Sequence, residues 1–246
     1  MSAILEVKHL RKAFGGVVAV DDNNFAVERG TRLGIIGPNG AGKTTTFNMI
    51  AGFFKPTAGT IEFEGHRISG LSPHRISQLG IGRTFQNVRA FRELTVYDHV
   101  MAGAIAHEMH YKPTAKQVEE VERILKWAHL SEHRDTQVKN LTLAAQRQIE
   151  LATALATKPK LLLLDELMAG LTFVEIDLML DLLRMVNQEM GITLIVVEHV
   201  MKVIMTLCHR ILVLSYGKII AEGNPKEIST NKTVIEAYLG EEKTHA

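Results

Sequence analysis

Eight residues near the start of the chain combine three glycines, a lysine and a threonine at a fixed spacing. They read Gly37-Pro38-Asn39-Gly40-Ala41-Gly42-Lys43-Thr44, which fits the pattern G-x-x-x-x-G-K-[ST]. The glycines allow backbone N–H groups to converge on phosphate oxygens, and a helix that begins behind them adds unpaired donors. In such loops the lysine reaches the β- and γ-phosphates and the hydroxyl ligates Mg²⁺. We therefore predict a nucleotide and Mg²⁺ site formed by Gly37, Pro38, Asn39, Gly40, Ala41, Gly42, Lys43, Thr44 and Thr45.

The segments around this loop are those that such a site needs. The apolar run Leu33-Gly34-Ile35-Ile36 before it is typical of a buried strand, and Thr45–Ile50 after it is typical of the start of a helix. A glycine-rich turn that fits the pattern by chance would not need this strand–loop–helix context. The context therefore favours phosphate binding.

A second apolar run ends in two adjacent carboxylates. Leu161–Leu164 is followed by Asp165 and Glu166, and a buried strand that ends in charges is costly unless the charges have partners. Asp165 fits a residue that holds Mg²⁺ through its water shell, and Glu166 is then available to polarise an attacking water. The alternative is an exposed acidic pair where a strand meets a loop, and the phosphate loop upstream weakens it.

Three further residues are informative only as members of an ordered set. His199 follows an apolar run that ends at Val197, where a histidine can lie beside a γ-phosphate, although a lone histidine is more often structural or solvated. Gln86 lies between a predicted extended segment and a predicted helix, and by itself it would be interpreted as a solvated loop residue. Phe14 is either a core aromatic or a platform on which an adenine ring stacks. Residue type alone assigns a role to none of the three.

The composition excludes several classes of protein. Hydrophobic residues make up 46% of the 246 residues and the net charge is +1, which gives no reason to propose a nucleic-acid surface. The single cysteine, Cys208, excludes an intrachain disulfide and favours a reducing compartment. No stretch approaches the ~20 apolar residues of a membrane span, so we expect a soluble chain that can still dock on a membrane protein.

The remaining pattern predicts an α/β fold. Strands are predicted at Ile4–His9, Val17–Val20 and Asn24–Val27, and the chain from about residue 87 to 157 is mostly helical. From Lys160 onward strands and helices alternate, and Ile192–Val197 is a continuous apolar run, as in a parallel sheet covered on both faces. Helical spacing is clearest in Val118, Val121, Ile124, Leu125 and Ala128.

Taken in order, these motifs resemble the nucleotide-binding subunit of ATP-binding cassette (ABC) transporters over nearly the whole chain. The set is Phe14, Gly37–Thr44, Gln86, Asn140–Arg147, Leu161–Glu166 and His199. The resemblance implies that ATP is the nucleotide, that Phe14 stacks on adenine, and that Gln86 is the Q-loop residue linking Mg²⁺ to a helical subdomain. It also implies that Glu166 is the general base and His199 the switch histidine.

The resemblance also implies a domain organisation and an architecture. The chain would be a single nucleotide-binding domain with a P-loop NTPase core of the ABC type. This core, which includes an N-terminal antiparallel β region, would comprise residues 1–86 and 158–246. An inserted α-helical subdomain would comprise residues 87–157.

The chain departs from the family where it would contact the nucleotide of a partner subunit. The family signature usually reads Leu-Ser-Gly-Gly-Gln, whereas this chain has Leu141-Thr142-Leu143-Ala144-Ala145 before Gln146. Thr142 keeps a hydroxyl for the partner's γ-phosphate, while Ala144 replaces a glycine, adds bulk and disfavours a positive φ. We therefore predict a weakened half-site. The alternative is that Ala144 and Ala145 simply strengthen the helix, since alanine has the highest helix propensity. Leu167 and Thr172 also stand where the family usually has proline and Asp or Asn.

Four shorter segments are similar in sequence to the ATPase subunits of importers of branched-chain and other hydrophobic amino acids. They are Arg83–Val88, Phe91–Val96, Glu198–Met201 and Val234–Gly240. The resemblance implies an ATPase that powers uptake, paired with a second ATPase subunit, either the same chain or a paralogue. Permease subunits would contact the Gln86 region and the helical subdomain, a substrate-binding protein would act indirectly, and no nucleic acid would bind. The chain would lie peripherally on the cytoplasmic side of the inner membrane.

Three other functions stay open. The first is lipopolysaccharide export, because the ATPase of that system has a similar phosphate-loop helix and C-terminal tail, although its Q-loop sequence differs. Soluble cassette ATPases of translation or DNA repair usually carry two cassettes or long coiled-coil insertions, which this chain lacks. A non-hydrolysing regulatory subunit is disfavoured by Glu166 and His199 and weakly favoured by Ala144 and Leu167.

Overall fold

The computed structural model describes residues 3–84, 91–108 and 112–242. The chain forms two compact units, one made of the residues up to Ile76 together with those from Thr193 onward, and the other of Ser77–Ile192. None of the helices that the described residues form is long and apolar enough to cross a membrane.

The elements are numbered in chain order. The strands are β1 (Ala3–Phe14), β2 (Val17–Glu28), β3 (Arg32–Ile36), β4 (Ala58–Phe63), β5 (His66–Arg67), β6 (Ile81–Arg83), β7 (Leu161–Asp165), β8 (Thr193–Val197), β9 (Arg210–Ser215) and β10 (Lys218–Gly223). The helices are α1 (Lys43–Ile50), α2 (Pro73–Leu79), α3 (Val96–Glu108), α4 (Ala115–Trp127), α5 (Leu143–Ala156), α6 (Phe173–Gln188), α7 (Met201–Leu207), α8 (Pro225–Thr230) and α9 (Lys232–Glu242).

The predicted N-terminal antiparallel region is present and lies in the first unit. Its strands lie in the order β2-β1-β4-β5, and every pairing between neighbours is antiparallel. The segments predicted as Val17–Val20 and Asn24–Val27 are one continuous strand, β2. Asn23 lies inside it, buried, and its side-chain oxygen accepts a hydrogen bond from the backbone N–H of Ile219 at 3.1 Å. This bond gives the buried amide oxygen a partner within the polar part of the strand.

The first unit also contains the mainly parallel strands that carry the phosphate loop. They lie in the order β10-β9-β3-β8, in which β3 pairs in parallel with both β8 and β9, and β10 pairs antiparallel with β9. Every residue of β3 and β8 is buried, as continuous apolar runs predict for strands covered on both faces. Ile35 of β3 is the partner of Val197 of β8, so the two strands end at the same edge.

The second unit combines a short parallel strand pair with three helices packed on one another. Strand β6 pairs in parallel with β7, and α3 contacts both α4 and α5. The predicted subdomain, residues 87–157, lies within this unit, although its limits stay a prediction. On α4, Val121, Ile124 and Leu125 are buried as the spacing predicts, whereas Val118 is 36% exposed and lies at the margin of the apolar face.

Candidate functional site

The phosphate loop joins β3 to α1, and its backbone requires glycine. Gly37, Gly40 and Gly42 have φ angles of 147°, 77° and 98°, a region that residues with a side chain rarely adopt. A Cβ atom on Gly37 would lie 2.0 Å from the carbonyl oxygen of Leu214, and one on Gly42 would lie 2.4 Å from that of Ala19. Glycine is therefore needed at positions 37 and 42 for both conformation and space.

Helix α1 presents an N-terminus suited to an anion. It begins at Lys43 with Gly42 as its N-cap, and no side chain of the described residues caps it. Its first turn also contains no acidic residue. The N–H groups and the positive dipole end of such a helix favour phosphate. The predicted strand–loop–helix arrangement is therefore present.

Lys43 is buried within the loop that it would use to hold phosphates. Its side chain is only 6% exposed, and the ammonium group donates to the carbonyl oxygens of Gly37 at 2.6 Å and Pro38 at 2.9 Å. These acceptors stabilise a charge that would be costly to bury alone. Thr44 is exposed and Thr45 is half-buried. The ammonium group of Lys43 is thus already held by the loop.

His199 lies at the same edge of the first unit as the phosphate loop. Val197 ends β8 opposite Ile35 of β3, and both His199 and Gly37 come two residues beyond these partners. His199 is exposed, whereas Glu198 before it is buried. The structure therefore brings the predicted switch histidine and the loop to one edge.

Phe14 is a partly exposed ring held by two neighbours at the end of the β1–β2 hairpin. It is 44% exposed, and the edge contact with Phe54 has a centroid distance of 5.2 Å and an interplanar angle of 77°. The ammonium nitrogen of Lys12 lies 4.8 Å from the Phe14 centroid. An aromatic ring fixed in this way can serve as a stacking platform, so the core alternative does not describe it.

In the second unit, Asp165 ends β7 in a buried ion pair. The Arg83 guanidinium donates to its Oδ2 at 2.8 Å, and the Thr84 hydroxyl oxygen accepts a hydrogen bond from the Asp165 backbone N–H at 3.3 Å. Its Oδ1 is buried and accepts no hydrogen bond from any of the described residues. A buried acceptor without a partner requires an explanation. A hydrated divalent cation would satisfy it, so the residues fit Mg²⁺.

Glu166 follows in a strained backbone conformation. Its φ is 50°, in the left-handed region, which costs a residue with a side chain roughly 1–3 kcal/mol. Its carbonyl oxygen accepts a hydrogen bond from the Ala169 N–H at 3.2 Å, which closes the turn after β7. The residue as a whole is half-buried. This position suits a base that must remain accessible to water.

The degenerate signature begins a regular helix. Thr142 is the N-cap of α5, and its hydroxyl oxygen accepts a hydrogen bond from the Ala145 N–H at 3.3 Å. Ala144 therefore lies in the first turn of a right-handed helix, where its backbone does not need a positive φ. Only the bulk of its methyl group remains as a cause of a weaker site.

The other two departures from the family have structural roles. Leu167 is 1% exposed and belongs to the core of the second unit. Thr172 is the N-cap of α6 in a capping box with Glu175, whose carboxylate accepts from the Thr172 N–H at 2.7 Å. Hydrogen bonds from the Thr172 backbone and hydroxyl hold the pKa of Glu175 below its usual range. Both residues therefore stabilise the second unit.

The predicted site residues fall into two groups, with one residue outside. The loop, Phe14 and His199 lie in the first unit, whereas Asp165, Glu166 and the signature lie in the second. Gln86 is outside the described residues. The structure adds Arg83 and Thr84, to which the sequence assigned no role beyond membership of the family-specific segment Arg83–Val88. The available signal was a buried strand ending in an acid, which needs a basic partner.

Comparison with known families and proteins gives consistent results. Residues 20–169 match the family model described as "ABC transporter". Residues 218–244 match a second one, described as "Branched-chain amino acid ATP-binding cassette transporter".

Curated relatives match over nearly their whole length. The high-affinity branched-chain amino acid transport ATP-binding protein BraF of Pseudomonas aeruginosa is 37% identical over 250 residues, covering 97% of this chain and 98% of its own. LivG of Escherichia coli, which bears the same description, is 37% identical over 253 residues, covering 97% and 98%. The lipopolysaccharide export system ATP-binding protein LptB of Escherichia coli is 35% identical over 243 residues, covering 98% of each chain.

Solved structures agree. An ATP-binding cassette of an ABC transporter in its ADP conformation superimposes with a TM-score of 0.90 at 29% identity, covering 98% of this chain and 100% of the other. A dimeric cassette bound to ADP and phosphate after hydrolysis gives 0.80 at 25% identity, covering 90% and 98%. From its sequence pattern, its full-length relatives and its fold, this chain belongs to the ATP-binding cassette transporter family, as an ATPase subunit.

Proposed function

We propose that this chain binds ATP with Mg²⁺ and hydrolyses it to power uptake of branched-chain amino acids. The observation that carries the hydrolytic part is the end of β7, where Asp165 keeps a buried oxygen without a partner among the described residues and Glu166 follows. The names of the full-length relatives BraF and LivG and the match of the C-terminal segment support the substrate class.

Each predicted residue then has a task. The loop N–H groups and the α1 N-terminus bind phosphate oxygens, and Lys43 exchanges its carbonyl acceptors for the β- and γ-phosphates. Thr44, Asp165 and, by family resemblance, Gln86 hold Mg²⁺, which supplies charge neutralisation at the transferred phosphoryl group. Glu166 orients the attacking water and His199 holds the γ-phosphate. Phe14 stacks on adenine, and Thr142 and the Ala144 segment contact the nucleotide of a partner subunit.

The proposed assembly follows from the family. A second ATPase subunit completes each site, which the dimeric solved relative supports. Permease subunits contact the Gln86 region and residues 87–157, and a substrate-binding protein delivers the amino acid to them. The chain therefore lies peripherally at the cytoplasmic side of the inner membrane.

Uptake of labelled leucine tests the substrate class directly. Cells that lack this chain are complemented with the wild type or with Glu166→Gln, and initial uptake rates are compared. We expect the wild type to restore uptake and the variant to fail.

The identity to LptB favours a second candidate, lipopolysaccharide export. Leucine uptake that does not depend on the chain, together with a weakened outer-membrane barrier in its absence, would favour that function instead.

The signature gives a prediction about rate. Replacing Ala144 by glycine should raise ATP turnover of the assembled dimer about fivefold, because closer approach to the partner's γ-phosphate allows roughly one further hydrogen bond, worth about 1 kcal/mol. Steady-state phosphate release measures this effect. Ala154→Gly, in the same helix α5, is the matched control for lost helix propensity. An Ala144→Gly variant that is no faster than the wild type would show that the methyl group does not limit the site.

A further inference from the structure

The Arg83–Asp165 ion pair is buried and joins two residues of the second unit that are distant in sequence. The side chains are 11% and 3% exposed, and the guanidinium nitrogen lies 2.8 Å from Oδ2. A second buried ion pair in this unit, Arg147–Glu150, connects residues three apart on α5. Arg83 and Asp165 are 82 residues apart in sequence. A buried carboxylate needs such a partner, so the pair is part of how the β7 end is built.

The strand register explains the contact. Arg83 is the last residue of β6 and is the partner of Leu163 in the parallel strand β7. Thr84 follows at the same edge, and its hydroxyl oxygen accepts from the Asp165 N–H at 3.3 Å. Two neighbouring residues of one segment therefore hold the backbone and the carboxylate of Asp165.

The two carboxylate oxygens of Asp165 have different surroundings. Oδ2 accepts from Arg83, whereas Oδ1 is buried without a hydrogen-bond partner among the described residues. The carboxylate torsion is broad when nothing fixes it, and a planar guanidinium restricts it because its N–H groups point in fixed directions. Arg83 thus fixes which carboxylate oxygen is left without a hydrogen bond and the direction in which that oxygen points.

We propose that Arg83 is a positioning residue for Mg²⁺, holding Asp165 through Oδ2 so that Oδ1 is presented to the cation or to one of its waters. The inference rests on the proposed function, since it requires that the chain binds Mg²⁺ with a nucleotide. Partners of metal-binding residues commonly act in this way. Arg83 also precedes Gln86 by three residues, so the segment that leads to the Q-loop is anchored on the same carboxylate.

The opposite role would be competition, in which Arg83 occupies the carboxylate in place of the cation. Competition predicts that removing the guanidinium tightens Mg²⁺ binding. The geometry favours positioning, because the arginine occupies Oδ2 and leaves Oδ1 without a partner among the described residues. The two roles therefore differ in the sign of one measurable effect.

The test measures the affinity of the full chain for a fluorescent ATP analogue, with Mg²⁺ and with EDTA. The ratio of the two affinities is the Mg²⁺ gain. We expect Arg83→Gln to reduce this gain about tenfold to a hundredfold, as for other partners of metal-binding residues, with the affinity in EDTA unchanged. Arg83→Lys should restore part of the gain, and it also serves if the glutamine variant does not fold. Arg184→Gln, which removes an exposed ion pair on α6, is the matched control.

A double variant shows whether Arg83 acts through Asp165. In an Asp165→Asn background, Arg83→Gln should cause no further loss of the Mg²⁺ gain. An unchanged gain in Arg83→Gln, a larger gain, or an equal loss of affinity with and without Mg²⁺ would each overturn the positioning role. A wild-type chain whose affinity does not respond to Mg²⁺ would instead contradict the proposed function itself.

Discussion

Replacing Glu166 by glutamine is expected to reduce ATP hydrolysis by roughly 10²–10⁴-fold, the usual contribution of a general base. Glutamine keeps the size of the side chain but cannot take a proton from water. Nucleotide affinity should change little, because the phosphate loop and Asp165 remain. An ATP-bound dimer should therefore accumulate. Single-turnover phosphate release and size-exclusion chromatography with ATP measure the two effects.

The control for this experiment is Glu189→Gln, an exposed glutamate at the C-terminal end of α6 in the same unit. It should retain wild-type turnover and should not trap a dimer. A Glu166→Gln variant that hydrolyses ATP at the wild-type rate would remove Glu166 from the role of base.

Replacing Lys43 by methionine is expected to reduce turnover by about 10²–10³-fold, the effect of losing one donor to developing charge. The ammonium group lies inside the loop on the carbonyls of Gly37 and Pro38, so its charge is already placed for phosphate. ATP affinity should also fall, by roughly tenfold or more, as a charge-assisted hydrogen bond is lost. Calorimetric titration with ATP and steady-state hydrolysis measure the two quantities.

Lys218→Met is the matched control for charge removal. Lys218 is exposed, belongs to the same unit and lies 3.4 Å from Asp21 in a solvent-accessible ion pair. Such pairs contribute little, so its ATP affinity and turnover should match the wild type. Equal losses in the Lys43 and Lys218 variants would mean that net charge, and not the loop, determines nucleotide binding.

The phosphate loop was predictable because its chemistry constrains neighbouring residues. The φ angles of Gly37 and Gly42, and the space beside them, leave no alternative to glycine. The flanking apolar run and helix complete the motif within a short stretch of sequence. The positions of Asp165 and Glu166 were predictable for a different reason, since both come directly after a continuous apolar run.

Contacts between distant residues were not predictable from one sequence. The partner of Asp165, Arg83, is 82 residues away, and no local pattern indicates which basic residue would pair with that carboxylate. The polar segment around Asn23 was predicted to interrupt a strand. It does not, because β2 stays paired with β1 there, with Asn23 as the partner of Leu10.

The signature shows that a family comparison does not by itself identify a physical cause. The sequence named two possible effects of Ala144, added bulk and an unfavourable positive φ. The N-cap at Thr142 starts α5 one residue later, so Ala144 is helical and its backbone is unstrained. Its effect on a partner's nucleotide, if measured, must come from the methyl group.

The most direct test of the central claim is Mg²⁺-dependent phosphate release from ATP by the purified chain, measured across protein concentration and then with its transporter partners. We expect release that requires Mg²⁺, disappears in Glu166→Gln, and rises per chain as dimers form or as a second ATPase subunit is supplied. Tight ATP binding without Mg²⁺-dependent release under any of these conditions would contradict the account and identify a subunit that binds ATP without hydrolysing it.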